Sequence, residues 1–146
     1  MKTITRFDGE YRFLSNFCSL APIEYEGILY ETVENAFQAA KFADGELRLR
    51  LSRMSPTEAK KEGRRHPLRK DWESVKTGIM EELVRKKFRQ PRMRRMLLDT
   101  GDAELVEGNT WGDTFWGVDI RTGRGRNALG KILMKIRTEI NNETDK

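Results

Sequence analysis

"DWESVKTGIMEELVRKKFRQ", residues 71–90, decides the fold class of this chain. Asp71 stands where a helix N-cap belongs, and Trp72, Val75, Ile79 and Leu83 recur at helical spacing as an inward stripe. Lys86, Lys87 and Arg89 suit the negative end of the helix dipole. Downstream, Pro91 opens a short helix through "RMRRMLLDT", and "AELVEG" reads as a strand. "GRNALGKILMKIRTEI" closes the fold as a helix with Leu129, Ile132, Leu133, Ile136 and Ile140 inward, and residues 141–146 are expected to fray.

Upstream, "SPTEAKKEG" carries Ser55 as N-cap, Pro56 at the first helical position and Glu58 completing a capping box, with Gly63 placed to end the helix. "GRRHPLR" is a basic link, because His66 precedes Pro67 and is biased away from helix. "KFADGELRLRLSRM" is expected as a loop, and "VENAFQAAKF" as a helix. The first 30 residues divide into short strands and turns: "TITRF", "DGEYRFLSNF" and "IEYEGILY", the last turning at Gly27. No repeat, low-complexity tract or long linker divides the chain. The expectation is one α+β domain over residues 1–140, helix-dominated, with a small N-terminal β-region.

A chain of 146 residues buries a core without staples. Charged residues make up 35%, but the apolar ones are periodic, which describes a folded chain with a highly charged surface. Cys18 is the only cysteine and His66 the only histidine, so neither an intrachain disulfide nor a Cys- or His-rich metal centre is expected, and no cofactor. The opening "MKTITRFDGEYRFLSNF" has no apolar core of a signal peptide, and no stretch approaches a membrane span. A cytoplasmic protein is the expectation. Its net charge of +5 is uneven: residues 48–95 hold 17 Lys plus Arg against 6 Asp plus Glu, and the remainder holds 11 against 17. The basic segment suits a phosphate-bearing partner, or is the solvated outer face of helices.

Two regions stand out chemically. In "VENAFQAAK", residues 33–41, Val33, Ala36, Phe37 and Ala40 form the core stripe, while Glu34, Gln38 and Lys41 share another. Glu34 and Lys41 lie two turns apart, about 10 Å along the axis, beyond ordinary helix ion-pair spacing. The face is either a row of ligand handles or simply solvated. In "NTWGDTFWGVDIRTGRGRNALG", residues 109–130, Trp111 is flanked by Asn109 and Asp113 in a glycine-punctuated loop, where a ring beside a carboxylate suits stacking on a base. Trp116 reads equally well as core. "GRGRNA" matches a dinucleotide-binding pattern, but no second strand can follow the last helix, which excludes that fold. Asn127 is left either at a phosphate-attracting helix N-terminus or as an ordinary N-cap. In "YRFLSNF", Asn16 and Ser15 lie between Phe13 and Phe17 on a possible strand face, and His66 reads as a loop residue.

The order "FLSNF", "VENAFQAAKF", "DWESVKTGIMEELVRKKF", "LVEGNTWGDTFWG" and "GRNALGKILMKIR" closely resembles the NADAR family, from about Phe7 to Arg137. The resemblance implies a metal-free N-glycosidase acting on ribosyl or ADP-ribosyl groups attached to nitrogen. The substrate would be a phosphorylated riboflavin-pathway intermediate or an ADP-ribosylated guanine in DNA or RNA. Carried over by motif, Glu34, Lys41, Trp111 and Asp113 would be catalytic. Asn16, Phe17, Gln38, Trp72, Glu107, Trp116 and Asn127 would line the pocket or position it. Competing classes are a module that binds NAD or ADP-ribose without cleaving it, and a nucleic-acid binder held by charge alone. No membrane partner is expected, and the oligomeric state is not legible.

Overall fold

A computed structural model of the chain describes residues 2–144. Its contacts form two compact units, one of residues 16–87 and one of residues 1–15 with 88–146.

The first unit opens on a hairpin, β1 (Ile23–Tyr25) and β2 (Ile28–Tyr30), paired antiparallel with Ile23 opposite Tyr30. Glu26 and Gly27 both take positive φ, at 47° and 90°, the pattern of a type I′ turn whose twist matches the strands. Three short helices follow, α1 (Val33–Ala40), α2 (Gly45–Ser52) and α3 (Pro56–Gly63), with α1 packed on both α2 and α3. The capping box forms as the sequence indicates: Glu58 N–H donates to Ser55 Oγ at 3.1 Å and Ser55 N–H to Glu58 Oε1 at 3.2 Å.

Helix α2 replaces the loop expected over 41–54. The Asp44 carboxylate accepts from the N–H groups of Glu46 (2.9 Å) and Leu47 (3.3 Å), and Leu47 and Leu51, four apart, are its buried residues. Helix α4 (Trp72–Arg89) starts in this unit. Its buried face runs through Met80, Leu83, Val84, Lys87 and Phe88, whereas Val75 and Ile79 are only half-buried. Lys87, expected at the C-terminal dipole, is instead 1% exposed, because it falls on the stripe of Leu83, Val84 and Phe88. Asp71 caps α4 through its backbone carbonyl, which accepts from Val75 N–H at 3.1 Å. Its carboxylate is held by the Arg69 guanidinium at 2.6 and 3.0 Å, not by the helix.

In the second unit, β3 (Thr3–Ile4) pairs parallel with β4 (Glu104–Leu105), and β5 (Gly108–Asn109) pairs parallel with β6 (Val118–Asp119). Between β3 and residue 15 the chain forms a 3-10 helix, Gly9–Leu14, where strand was expected. Phe13 and Leu14 are buried side by side, a pattern that an alternating strand cannot provide. Helix α5 (Pro91–Leu98) packs on the closing helix α6 (Ala128–Thr144), which also covers β4. All five apolar residues expected to face inward on α6 are buried. The helix runs through residues 141–144, expected to fray; 145 and 146 lie outside the described residues. Among the described residues, no helix is long and apolar enough to cross a membrane.

One core residue predicts its own replacement. Tyr30 is 0% exposed, and its hydroxyl has no hydrogen-bond partner among the described residues. A buried hydroxyl without a partner costs stability, so Tyr30→Phe is expected to be neutral or to gain up to about 1 kcal/mol. Urea unfolding checks this, and a clear loss of stability would reveal a partner for the hydroxyl.

Candidate active site

Helix α1 builds the first cluster. Thr32 caps it, accepting Asn35 N–H at 3.1 Å, and Glu34 N–H in the first turn donates to the Asn16 carbonyl at 3.0 Å. Asn35 is fully buried and sends its amide to the carbonyls of Leu51 (2.9 Å) and Met54 (2.8 Å) at the end of α2. Asn16 in turn donates to Met80 Sδ at 3.4 Å. These bonds fix α1 on three sides.

The face of Glu34, Gln38 and Lys41 is not solvated. Glu34 is 8% and Gln38 4% exposed, and Gln38 Nε2 donates to Glu34 Oε2 at 2.6 Å. Gln38 is therefore turned into the protein, holding a carboxylate. Lys41 follows the last turn of α1 and is half-buried. Its amine lies 5.9 Å from the Phe37 ring centre, and Phe37 packs on the buried Trp72 at 5.0 Å between ring centres. Burial pulls the Lys41 pKa below the ordinary lysine value; Glu34 opposes this, and Arg64, Lys60 and Lys76 reinforce it. The Lys60 amine also lies 5.8 Å from the ring centre of Phe17. Arg69 steadies the end of α1, donating from N–H to the Lys41 carbonyl at 3.0 Å and from Nη1 to the Ala40 carbonyl at 3.4 Å.

Sequence reasoning placed Glu34, Gln38 and Lys41 together, but missed Lys60, Arg64 and Lys76 as the cations around Lys41. Their only signal was the basic segment over 48–95, which names no individual residue. His66 lies outside this cluster of charges: its Nε2 is 2.7 Å from Glu62 Oε2, and its ring packs edge-on against Phe42.

The second unit holds the other motif residues in one folded loop. Buried Asn109 clasps Asp113, accepting its N–H at 3.0 Å and donating to its carbonyl at 2.8 Å. The half-buried Asp113 carboxylate accepts the N–H groups of Phe115 (3.0 Å) and Trp116 (2.9 Å). Trp111 is 65% exposed at the tip, while Trp116 is half-buried and packs edge-on against Phe115 at 4.7 Å. Half-buried Glu107 donates its N–H to Asn127 Oδ1 at 3.0 Å, and Asn127 Nδ2 donates to the Leu105 carbonyl at 2.9 Å. Asn127 is 9% exposed, at a positive φ of 53°. Its side chain thus ties the start of α6 to residues 105–107, and only its carbonyl serves α6, accepting Lys131 N–H at 3.0 Å. Gly117 lets the strands close up, since a Cβ there would stand 2.2 Å from the Glu107 carbonyl oxygen.

The first unit thus gathers one acid, one amide and one amine at α1 and its C-terminal end, and the second, taken by itself, holds a carboxylate clasped by backbone N–H groups in a loop that also carries an exposed indole. Among the described residues, no group of three His, Cys, Asp or Glu side chains is placed to hold a metal ion.

Residues 5–141 match the NADAR domain, and the chain belongs to that family. It is 42% identical to N-glycosidase YbiA of Escherichia coli over 135 residues, covering 90% of this chain and 82% of the relative. N-glycosidase Npun_R5314 of Nostoc punctiforme is also 42% identical, over 139 residues, covering 90% of this chain and 87% of that protein. A riboflavin biosynthesis protein of Vibrio vulnificus is 37% identical over 139 residues, 91% of this chain but 36% of that longer protein. The NMR structure of E. coli YbiA superposes with a TM-score of 0.85 at 39% identity, covering 100% of this chain and 90% of that one.

Proposed function

We propose that this N-glycosidase removes ADP-ribose from guanine bases in nucleic acid, in the cytoplasm, by cleaving the C1′–N bond. The observation that carries the reading is Lys41: a half-buried amine near the Phe37 ring whose pKa burial lowers, in the field of the Glu34 carboxylate and of the Arg64, Lys60 and Lys76 cations. The cations suit a phosphate-bearing sugar, and Lys61 and Arg65, both exposed around the end of α3, supply further charge for a nucleic-acid backbone.

In this reading the neutral Lys41 amine adds to C1′. The C1′–N bond breaks with its electron pair going to nitrogen, which takes up a proton as the base leaves. The ring of the lysine–sugar adduct opens, its oxygen taking up a proton as a Schiff base forms between Lys41 and C1′, and water then hydrolyses that Schiff base to free the amine and the sugar. Glu34 stabilises the positive charge that develops at C1′ and moves the proton. Trp111 and Asp113 are proposed as catalytic too, Trp111 offering an exposed ring for stacking and Asp113 a carboxylate fixed by backbone N–H groups.

The second reading is hydrolysis of a phosphorylated ribosylaminopyrimidine, favoured by the riboflavin name of the Vibrio relative. Product release from guanine-ADP-ribosylated DNA, run beside that metabolite, separates the two. Release from the DNA adduct alone is expected. Release from the metabolite alone would leave the outer basic residues as solvated surface. Binding of ADP-ribose without turnover of either would reduce the protein to a binding module.

A further inference from the structure

We propose that Gly63 is a positioning residue for the cleavage reaction: its bare Cα makes the room in which the Gln38 carboxamide holds the Glu34 carboxylate. A Cβ on Gly63 would stand 2.1 Å from Gln38 Oε1, closer than real Cβ atoms come, and a tight 3.1 Å from its Cδ. Gln38 is 4% exposed, so its carboxamide cannot swing into solvent to escape. Its Oε1 has no hydrogen-bond partner among the described residues, and its Nε2 is the atom bound to Glu34. The amide is thus fixed at one end by Glu34 and at the other by the space that Gly63 leaves.

Backbone geometry supplies no competing reason for a glycine here. Gly63 is the last residue of α3, with Arg64 following in the right-handed region, and it is not among the glycines of positive φ. The left-handed ending that its place in the sequence indicated is absent, and alanine would suit this backbone.

The proposal rests on Glu34 being catalytic, and the test keeps the two apart. Gly63→Ala, Gln38→Ala, the double variant and Glu34→Gln are compared in kcat and KM on whichever substrate the protein turns over. Gly63→Ala is expected to lose about 10–100-fold in kcat, the worth of a charged hydrogen bond, with KM little changed and Tm lowered by the overpacking. Gln38→Ala should lose a similar factor, and the double variant no more than Gln38→Ala alone, because the obstructed side chain is gone. If Gly63→Ala misfolds, the double variant should still fold and match Gln38→Ala. A double variant whose loss is the product of the two single losses, or a fully active Gly63→Ala, overturns the proposal. An active Glu34→Gln overturns it too, and takes the assigned role of Glu34 with it.

Discussion

Lys41→Ala is expected to lower turnover by roughly 10³-fold or more, the scale lost when a nucleophile or proton-transfer group is removed. In the proposed mechanism the amine must be neutral to attack C1′, and its pKa is lowered chiefly by burial. Below that pKa the amine is protonated and inert; above it, reactive. The rate should therefore climb with pH along a limb centred below 10.5, the ordinary lysine value. Arg64 and Lys60 both push in the lowering direction, so Arg64→Ala should move that limb to higher pH. A lysine acting as the acid would give the mirror image, a rate falling through the same pKa. Borohydride added during turnover should fix the sugar to Lys41. Full activity with no adduct would sink the covalent step.

The largest loss of stability is expected from Asn127→Ala. It deletes the bonds to Glu107 N–H and the Leu105 carbonyl, and leaves both groups to find new partners in a mostly buried place. It also puts alanine at a φ of 53°, which asparagine tolerates better. Together these give about 3–5 kcal/mol, or on the order of 10 °C in Tm. Asn127→Gly loses the same bonds without the backbone strain, so it should fall short of the alanine loss by about 1 kcal/mol. Urea unfolding of both variants decides it. Equal losses would mean that the strain contributes nothing, and a loss under about 1 kcal/mol would mean that the loop has other fastenings.

What the sequence disclosed depended on how local the cause was. The capping box of α3, the inward stripe of α6 and the turn at Gly27 each state their structure within a few residues, and all appear. Helix α2 was hidden because Asp44–Gly45 looks like a turn and only Leu47 and Leu51 are buried. The 3-10 helix was hidden because Phe13 and Leu14, adjacent in the chain, imitate neither helical nor strand spacing over so short a run. Burial of Lys87 could not be read at all, since a lysine among basic residues looks the same whichever way the helix is turned. At the candidate site the shared face of α1 was visible as spacing. Its closure was not, because Lys60, Arg64 and Lys76 arrive from other elements. Nor does the stretch around Gly63 reveal that its missing side chain makes room for Gln38.

Asn35 carries a consequence for how this protein can diversify. It grips α2 by the backbone carbonyls of Leu51 and Met54, atoms that every residue type supplies. The outward residues of α2, such as Glu46, Leu49 and Arg50, can therefore drift without loosening the helix from α1. A lineage can rewrite that surface, and with it the molecules the protein meets, while inheriting the same chemistry beneath.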